Sequence, residues 1–134
     1  MKSLSNILII LIIFFVFFIS LLACAITEWK IPKESKMIKN PISSDENSIT
    51  RGRELFEKRC VACHGKKGDG KGSMAFLLTR RPPDFNHDDI IGMMTDGEIF
   101  YKISKGNSPM PQWEKKLAEN ERWDLVNFIR TFAK

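Results

Sequence analysis

The 134-residue chain predicts a small all-α domain behind an apolar leader. Three observations carry this reading. Ile49, Gly52, Phe56 and Cys60 fall on one face at helical spacing, and Leu125, Phe128, Ile129 and Phe132 repeat the pattern near the end. Between them, a stretch from Thr95 or Asp96 to Gly106 places Ile99 and Ile103 on one face. No βαβ pattern surrounds the chain's one chemical motif, Cys60-Val61-Ala62-Cys63-His64.

Composition bounds the rest. Hydrophobic residues make up 43% of the chain, and many of them sit at the N-terminus. What remains suits one domain, of a size that leans on a metal, disulfides or a cofactor for stability. The net charge of +5, from 21 Lys+Arg and 16 Asp+Glu, is a mild bias and not a nucleic-acid footprint. Three cysteines is an odd count. It closes without disulfides if two serve the motif and one carries a lipid.

Met1 to Ile26 reads as a targeting segment, to be kept out of the fold. Lys2 is the short positive region, and Ile7 to Leu22 is apolar except for Ser20. Leu21-Leu22-Ala23-Cys24 resembles the lipobox of bacterial lipoproteins. That resemblance implies cleavage before Cys24 and a diacylglycerol on its thiol. An uncleaved anchor is the alternative, since residues 7–26 would make roughly 30 Å of helix, enough to span a bilayer. Either reading places the remainder on the periplasmic side of a bacterial membrane, tethered to it. The expected organisation is therefore a signal or anchor over 1–23, lipidated Cys24 and linker over 24–48, and a domain over 49–134. Within the linker, Thr27 to Asn47 carries charge, Pro32, Pro41 and Ser43-Ser44. It reads equally as a flexible tether or as a strap ordered on the domain.

Asn47 or Ser48 is expected to cap the first domain helix, which runs towards Cys60. Gly52 costs about 1 kcal/mol against alanine inside a helix, so a close helix crossing is expected there. The motif that follows has the spacing of a c-type haem attachment site. Two thiols three positions apart can each bond one vinyl group of the same porphyrin, and the next residue, His64, is then held where its imidazole can ligate the iron. A redox dithiol does not need the histidine. A zinc site needs four ligands, and beyond the motif only Cys24 and His87 remain.

From Ile49 to the end, the chain resembles a class I, single-haem cytochrome c. The resemblance rests on the motif, on Gly52 and Phe56, and on Leu125 and Phe128 in Glu121-Arg122-Trp123-Asp124-Leu125-Val126-Asn127-Phe128-Ile129-Arg130. It implies an all-α domain wrapped around one covalent haem c, with the first and last helices crossing near a right angle.

Gly65 to Gly72 reads G-K-K-G-D-G-K-G. The Walker pattern fails, because no Lys-Ser/Thr pair closes it and no strand precedes it. Its form is similar to a glycine loop of many bacterial cytochromes c. Pro82 and Pro83 fix an extended segment with free carbonyls. The resemblance implies that one of them, with Pro83 chosen as the cofactor-binding residue, accepts the Nδ1–H of His64 and orients the ring.

A second iron ligand must come from elsewhere, or the site stays open. Met110 lies between Pro109 and Pro111 in a segment that cannot be helical, and it resembles the family's Met-Pro axial loop. Met93 and Met94 read as core or loop packing and Met74 as core. His87, in the polar run Asn86-His87-Asp88-Asp89, reads as a surface residue. Glu119 to Phe132 is the closing helix. Ala118 stands where relatives carry a Ser or Thr cap, so its start is expected to shift to Asn120 or fray.

The function this implies is one-electron transfer by a haem iron held by His64 and Met110, not catalysis. Filled axial positions leave no site for substrate, and thioether ligation favours the reduced state. The implied partners are a quinol-oxidising complex or dehydrogenase as donor, and an oxidase, a reductase or another cytochrome as acceptor. Lys66, Lys67, Lys71, Arg80, Arg81, Lys105, Lys115 and Lys116 could steer a negatively charged partner. Two alternatives stay open: a permanently assembled haem subunit of a larger respiratory complex, and a haem enzyme or gas sensor in which Met110 dissociates.

Overall fold

A computed structural model describes residues 2–22 and 29–133. Among them it holds seven α-helices, two short 3-10 turns and no strand. Among the described residues, backbone pairing of the β type is confined to one bridge, Asn107 with Met110. The chain divides into two compact units, residues up to Lys30 and residues from Ile31 on.

The first unit carries α1 (Lys2–Leu22). Its side chains are described from residue 6 to 16, and the apolar ones from Ile7 to Val16 are exposed. Counted over the described residues, no helix is long and apolar enough to cross a membrane. Cys24 lies outside the described residues.

The second unit is built on two helices that cross, α3 (Glu46–Arg59) and α7 (Glu119–Arg130). Gly52 sits at the crossing. A Cβ there would lie 2.1 Å from the Asp124 carbonyl oxygen and 2.8 Å from Phe128 Cβ, so only glycine lets the backbones approach this closely. One turn on, Phe56 is 1% exposed and its ring meets that of Phe128 at 5.3 Å. Trp123, Leu125 and Val126 fill the core from α7.

The cap of α3 differs from expectation. Asp45 is the N-cap, its carboxylate accepting from Ser48 N at 2.8 Å. The Ser48 hydroxyl donates instead to Asp124 at 2.6 Å. Arg51 makes a forked pair with the same carboxylate, at 2.7 and 2.8 Å. Buried Asp124 is thus fully engaged, as a carboxylate taken out of water must be.

Residues 31–45 are an ordered strap. They carry α2 (Lys33–Lys36) and lie on α6 (Asp96–Lys105). Gly97 opens the path: a Cβ there would lie 1.9 Å from the Ser35 carbonyl oxygen. Lys36 pairs with Glu98 at 2.9 Å, and Asn40 donates to Asn127 on α7 at 2.7 Å.

Helix α6 begins as its sequence predicts. Thr95 caps it, and Glu98 returns the bond to Thr95 N at 2.8 Å, a capping box. Helix α7 neither shifts nor frays at its start. Ala118 has no side-chain oxygen to offer, but Glu121 accepts from Ala118 N at 2.7 Å, which fixes the first turn at Glu119. Between the motif and α6 lie a 3-10 turn, Ala75–Leu77, and α5 (Asp88–Ile91). A second 3-10 turn, Trp113–Lys115, precedes α7.

Candidate functional site

The motif forms its own turn of helix at the end of α3. Cys60 closes α3, its N–H donating to Phe56 O at 2.8 Å, and opens α4 (Val61–His64). Cys63 N and His64 N both donate to Cys60 O, at 3.1 and 2.9 Å. Both thiols are free and half-buried. Burial pushes the Cys60 thiol up to about 12, with a smaller contribution from Cys63. Burial pushes His64 down to about 4, so its imidazole is neutral at pH 7, the form in which histidine binds a metal.

The glycine loop folds back on this turn. Gly70 N donates to His64 O at 2.9 Å, Gly72 N to Cys63 O at 3.2 Å and Met74 N to Ala62 O at 2.7 Å. These amides satisfy carbonyls that the short helix leaves open. The approach is close enough that a Cβ on Gly72 would lie 2.4 Å from Ala62 O. Gly70, with φ +67°, adopts a backbone that side chains disfavour.

The hydrogen bond expected from His64 Nδ1 to the carbonyl of Pro82 or Pro83 is not made. Nδ1 is buried without a partner. Both proline carbonyls lie at Gly70, where a Cβ would come within 2.4 Å of Pro82 O and 3.1 Å of Pro83 O. The segment is drawn there by Phe85, whose N–H donates to Gly68 O at 2.7 Å. Phe85 is a residue the sequence did not single out. Its ring stacks on the His64 imidazole, centroids 4.8 Å apart and planes 21° apart. Phe132, behind Phe85, packs on Gly68 and on Phe56. Two features could have pointed to Phe85: an aromatic two positions after a proline pair, and a position outside every helical stripe.

Met110 is half-buried and packs against the same core cluster as Cys60. Its loop is closed by two bonds with Asn107, at 3.1 and 2.9 Å, and contains a cis Ser108–Pro109 bond. The competing candidates lie elsewhere in character. Met74 is exposed, not core, and Met93 is exposed at 79%. Met94 is half-buried, with its sulfur 3.4 Å from Lys102 Nζ. His87 is at the surface, 3.8 Å from Asp84. The described residues hold no cluster of three or more His, Cys, Asp or Glu suited to a metal ion. Two thiols and a neutral imidazole on one turn, with one ring nitrogen buried and the other left for a metal, fit a tethered haem.

Residues 47–129 match the family model described as cytochrome C oxidase, cbb3-type, subunit III. The chain belongs to that family of c-type cytochromes. The cytochrome is 28% identical over 83 residues to cytochrome c6 of Alaria esculenta, covering 62% of this chain and 90% of that protein. It is 27% identical over 96 residues to the cytochrome c subunit of alcohol dehydrogenase (quinone) from Gluconacetobacter polyoxogenes, covering 69% of this chain. The chain spans only 20% of that relative's length. Among solved structures, the KustC0563 c-type cytochrome superposes with a TM-score of 0.55 at 26% identity, covering 62% of this chain and 98% of that one. The cytochrome thus has an all-α haem c domain, with covalent haem and its iron as cofactor and Cys60 and Cys63 placed to tether it. Bound there, haem supplies a one-electron couple. The chain's own residues would present a neutral His64 imidazole to it, with Phe56 and Phe85 packed against that ring.

Proposed function

We propose that the cytochrome is a membrane-tethered one-electron carrier whose iron is held by His64 and Met110. The observation that carries this reading is the seating of His64: a neutral imidazole fixed on the tether turn, with Nδ1 buried and Nε2 left for the metal. Met110 supports it, because its thioether is presented by a short closed loop against the same core. With two such ligands the iron changes charge without exchanging ligands, and thioether ligation raises the potential. The test is an absorption spectrum of the haem-loaded protein, oxidised and reduced, beside Met110→Ala. A low-spin spectrum whose sulfur-to-iron band vanishes in the variant supports the reading. A high-spin wild-type spectrum with rapid carbon monoxide binding moves the enzyme or sensor reading forward.

The donor we propose is a quinol-oxidising complex or dehydrogenase, and the acceptor an oxidase, a reductase or a second cytochrome. Exposed Lys66, Lys67, Lys71 and Arg81 would steer an acidic partner, so transfer rates should fall steeply with ionic strength. A second reading is favoured by the alcohol dehydrogenase relative, itself a cytochrome c subunit: this chain would be a fixed subunit of a larger complex. Stable co-purification separates it from a free shuttle. The site of action is the periplasmic side of a bacterial membrane, through a lipid on Cys24 or through an uncleaved N-terminal helix. Labelling with a palmitate analogue, lost in Cys24→Ala, distinguishes the two anchors.

A further inference from the structure

The two ends of the Met110 loop are joined by charge. Helix α6 stops at Lys105, and the loop from Gly106 leads to Trp113, the first residue of the second 3-10 turn. Lys105 Nζ lies 2.8 Å from Glu114 Oε2, so one ion pair spans residues 106–113. The loop's own bonds do not do this. The two between Asn107 and Met110 are internal: they give the loop its shape and leave it able to swing as a body. Ser108, Pro109, Pro111 and Gln112 are exposed, so the tip is not held by packing. At the base, Gly106 N–H donates to Lys102 O at 3.0 Å and closes the last turn of α6. Helix ends fray, and fraying of this turn is the movement that would carry the loop outward. Trp113, 9% exposed, roots the far end in the core. Glu114 is therefore the firm post, and Lys105 is the end that needs holding.

We propose that Lys105 and Glu114 are positioning residues of the Met110 ligand: their ion pair clasps the base of the loop and limits release of the thioether. The proposal rests on the reading of Met110 as an iron ligand. Glu114 is ionised at neutral pH, its carboxyl held below the usual range first by the hydrogen bond from Lys105. Arg122 and Lys115 attract it less strongly, and Arg122 donates to Ser104 instead. The paired side chains are 49% and 30% exposed, and a pair so placed adds little to global stability. Its effect is local: it opposes one opening of one loop, a motion far cheaper than unfolding the core.

The experiment uses the haem-loaded full chain. Carbon monoxide reaches the reduced iron only where Met110 has left it, so its binding rate, by stopped-flow mixing, reads the opening of the loop. The variants are Lys105→Gln, Glu114→Gln and the double substitution. Lys39→Gln is the control: it removes an exposed charge of the strap and no contact of the loop. Each single variant should bind carbon monoxide about two- to five-fold faster than wild type. The double variant should be no faster than either single one, because the two residues act through one contact. The control should match wild type. Rising ionic strength screens the pair, so it should speed binding in the wild type and not in Lys105→Gln. An unchanged rate in either single variant, additive effects in the double, an equal gain in Lys39→Gln, or a salt response that survives in Lys105→Gln overturns the proposal. A wild type without the sulfur-to-iron band overturns the Met110 reading instead, a separate outcome.

Discussion

The His64 side of the site and the Met110 side are held in different ways. His64 is backed by residues far apart in the chain: Phe56 on α3 and Phe85 after the prolines, both of which meet Phe132 beyond α7. Those residues join the crossing at Gly52, where the backbones touch. Met110 sits in a loop closed largely on itself, through Asn107 and the turn at Gly106. Its neighbours Ser108, Pro109, Pro111 and Gln112 are exposed, and together with residues 105–107 they line an open hollow of about 540 Å³. One proposed ligand is thus fixed by long-range packing and the other by local backbone geometry. Damage to the core should release the first, and damage to one loop should release only the second.

The largest break in this comparison is expected at the crossing. Even Gly52→Ala places a Cβ 2.1 Å from Asp124 O. It should cost at least about 3 kcal/mol, and a larger residue should prevent folding. Thermal melts and the yield of haem-loaded protein check this. Phe56→Ala should cost about 3–5 kcal/mol and disturb the His64 side while the sulfur-to-iron band survives in whatever protein folds. Met110→Ala should do the reverse, losing the band at a smaller cost in stability.

A more local effect is expected at Gly106. Its φ is +59°, and a Cβ would lie 2.4 Å from Pro111 O. Gly106→Ala should cost about 1–3 kcal/mol and speed the binding of carbon monoxide to the reduced protein by loosening Met110. Stopped-flow mixing measures it, and an unchanged rate would show that the loop is firmer than its contacts suggest.

The smallest effect belongs to the strap, which touches neither proposed ligand. The Lys36–Glu98 pair is half exposed at the lysine, so Lys36→Ala should cost less than about 1 kcal/mol. The Glu98 carboxyl is held below its usual range, first by the Thr95 N–H and then by Lys36. Because the folded-state value is depressed, its stabilisation is complete above the unfolded value and is lost as pH falls through the folded one. Protection of residues 31–40 against hydrogen exchange, relative to the intrinsic rate at each pH, should therefore fall on acidification below about pH 4.5, and Glu98→Gln should flatten that response.

The same division explains what the sequence could reveal. Features carried by a local pattern were legible: the Cys60–His64 motif, a helix starting at Thr95 or Asp96, and a glycine inside a helix at 52 that signals a close crossing. Features set by distant partners were not. Ser48 has the chemistry of a cap, but its hydroxyl is claimed by Asp124, 76 positions away, and Asp45 caps instead. Residues 31–45 could not be divided between tether and strap, because the groove that orders them is made by Gly97. The Pro83 carbonyl was expected at His64, yet no local rule states which way a carbonyl turns, and it faces Gly70. Phe85 read as loop because the imidazole it stacks on lies 21 positions earlier.

The crossing of α3 with α7 also sets an order of events. The tether residues lie at 60–64, whereas Asp124, Phe128 and Phe132, which complete their setting, come at the far end of the chain. Contacts of such separation form late and slowly. A ribosome-borne chain therefore displays both thiols and the histidine long before α7 exists to cover them. The tether turn is open in that interval, and α7 is the helix that closes its setting.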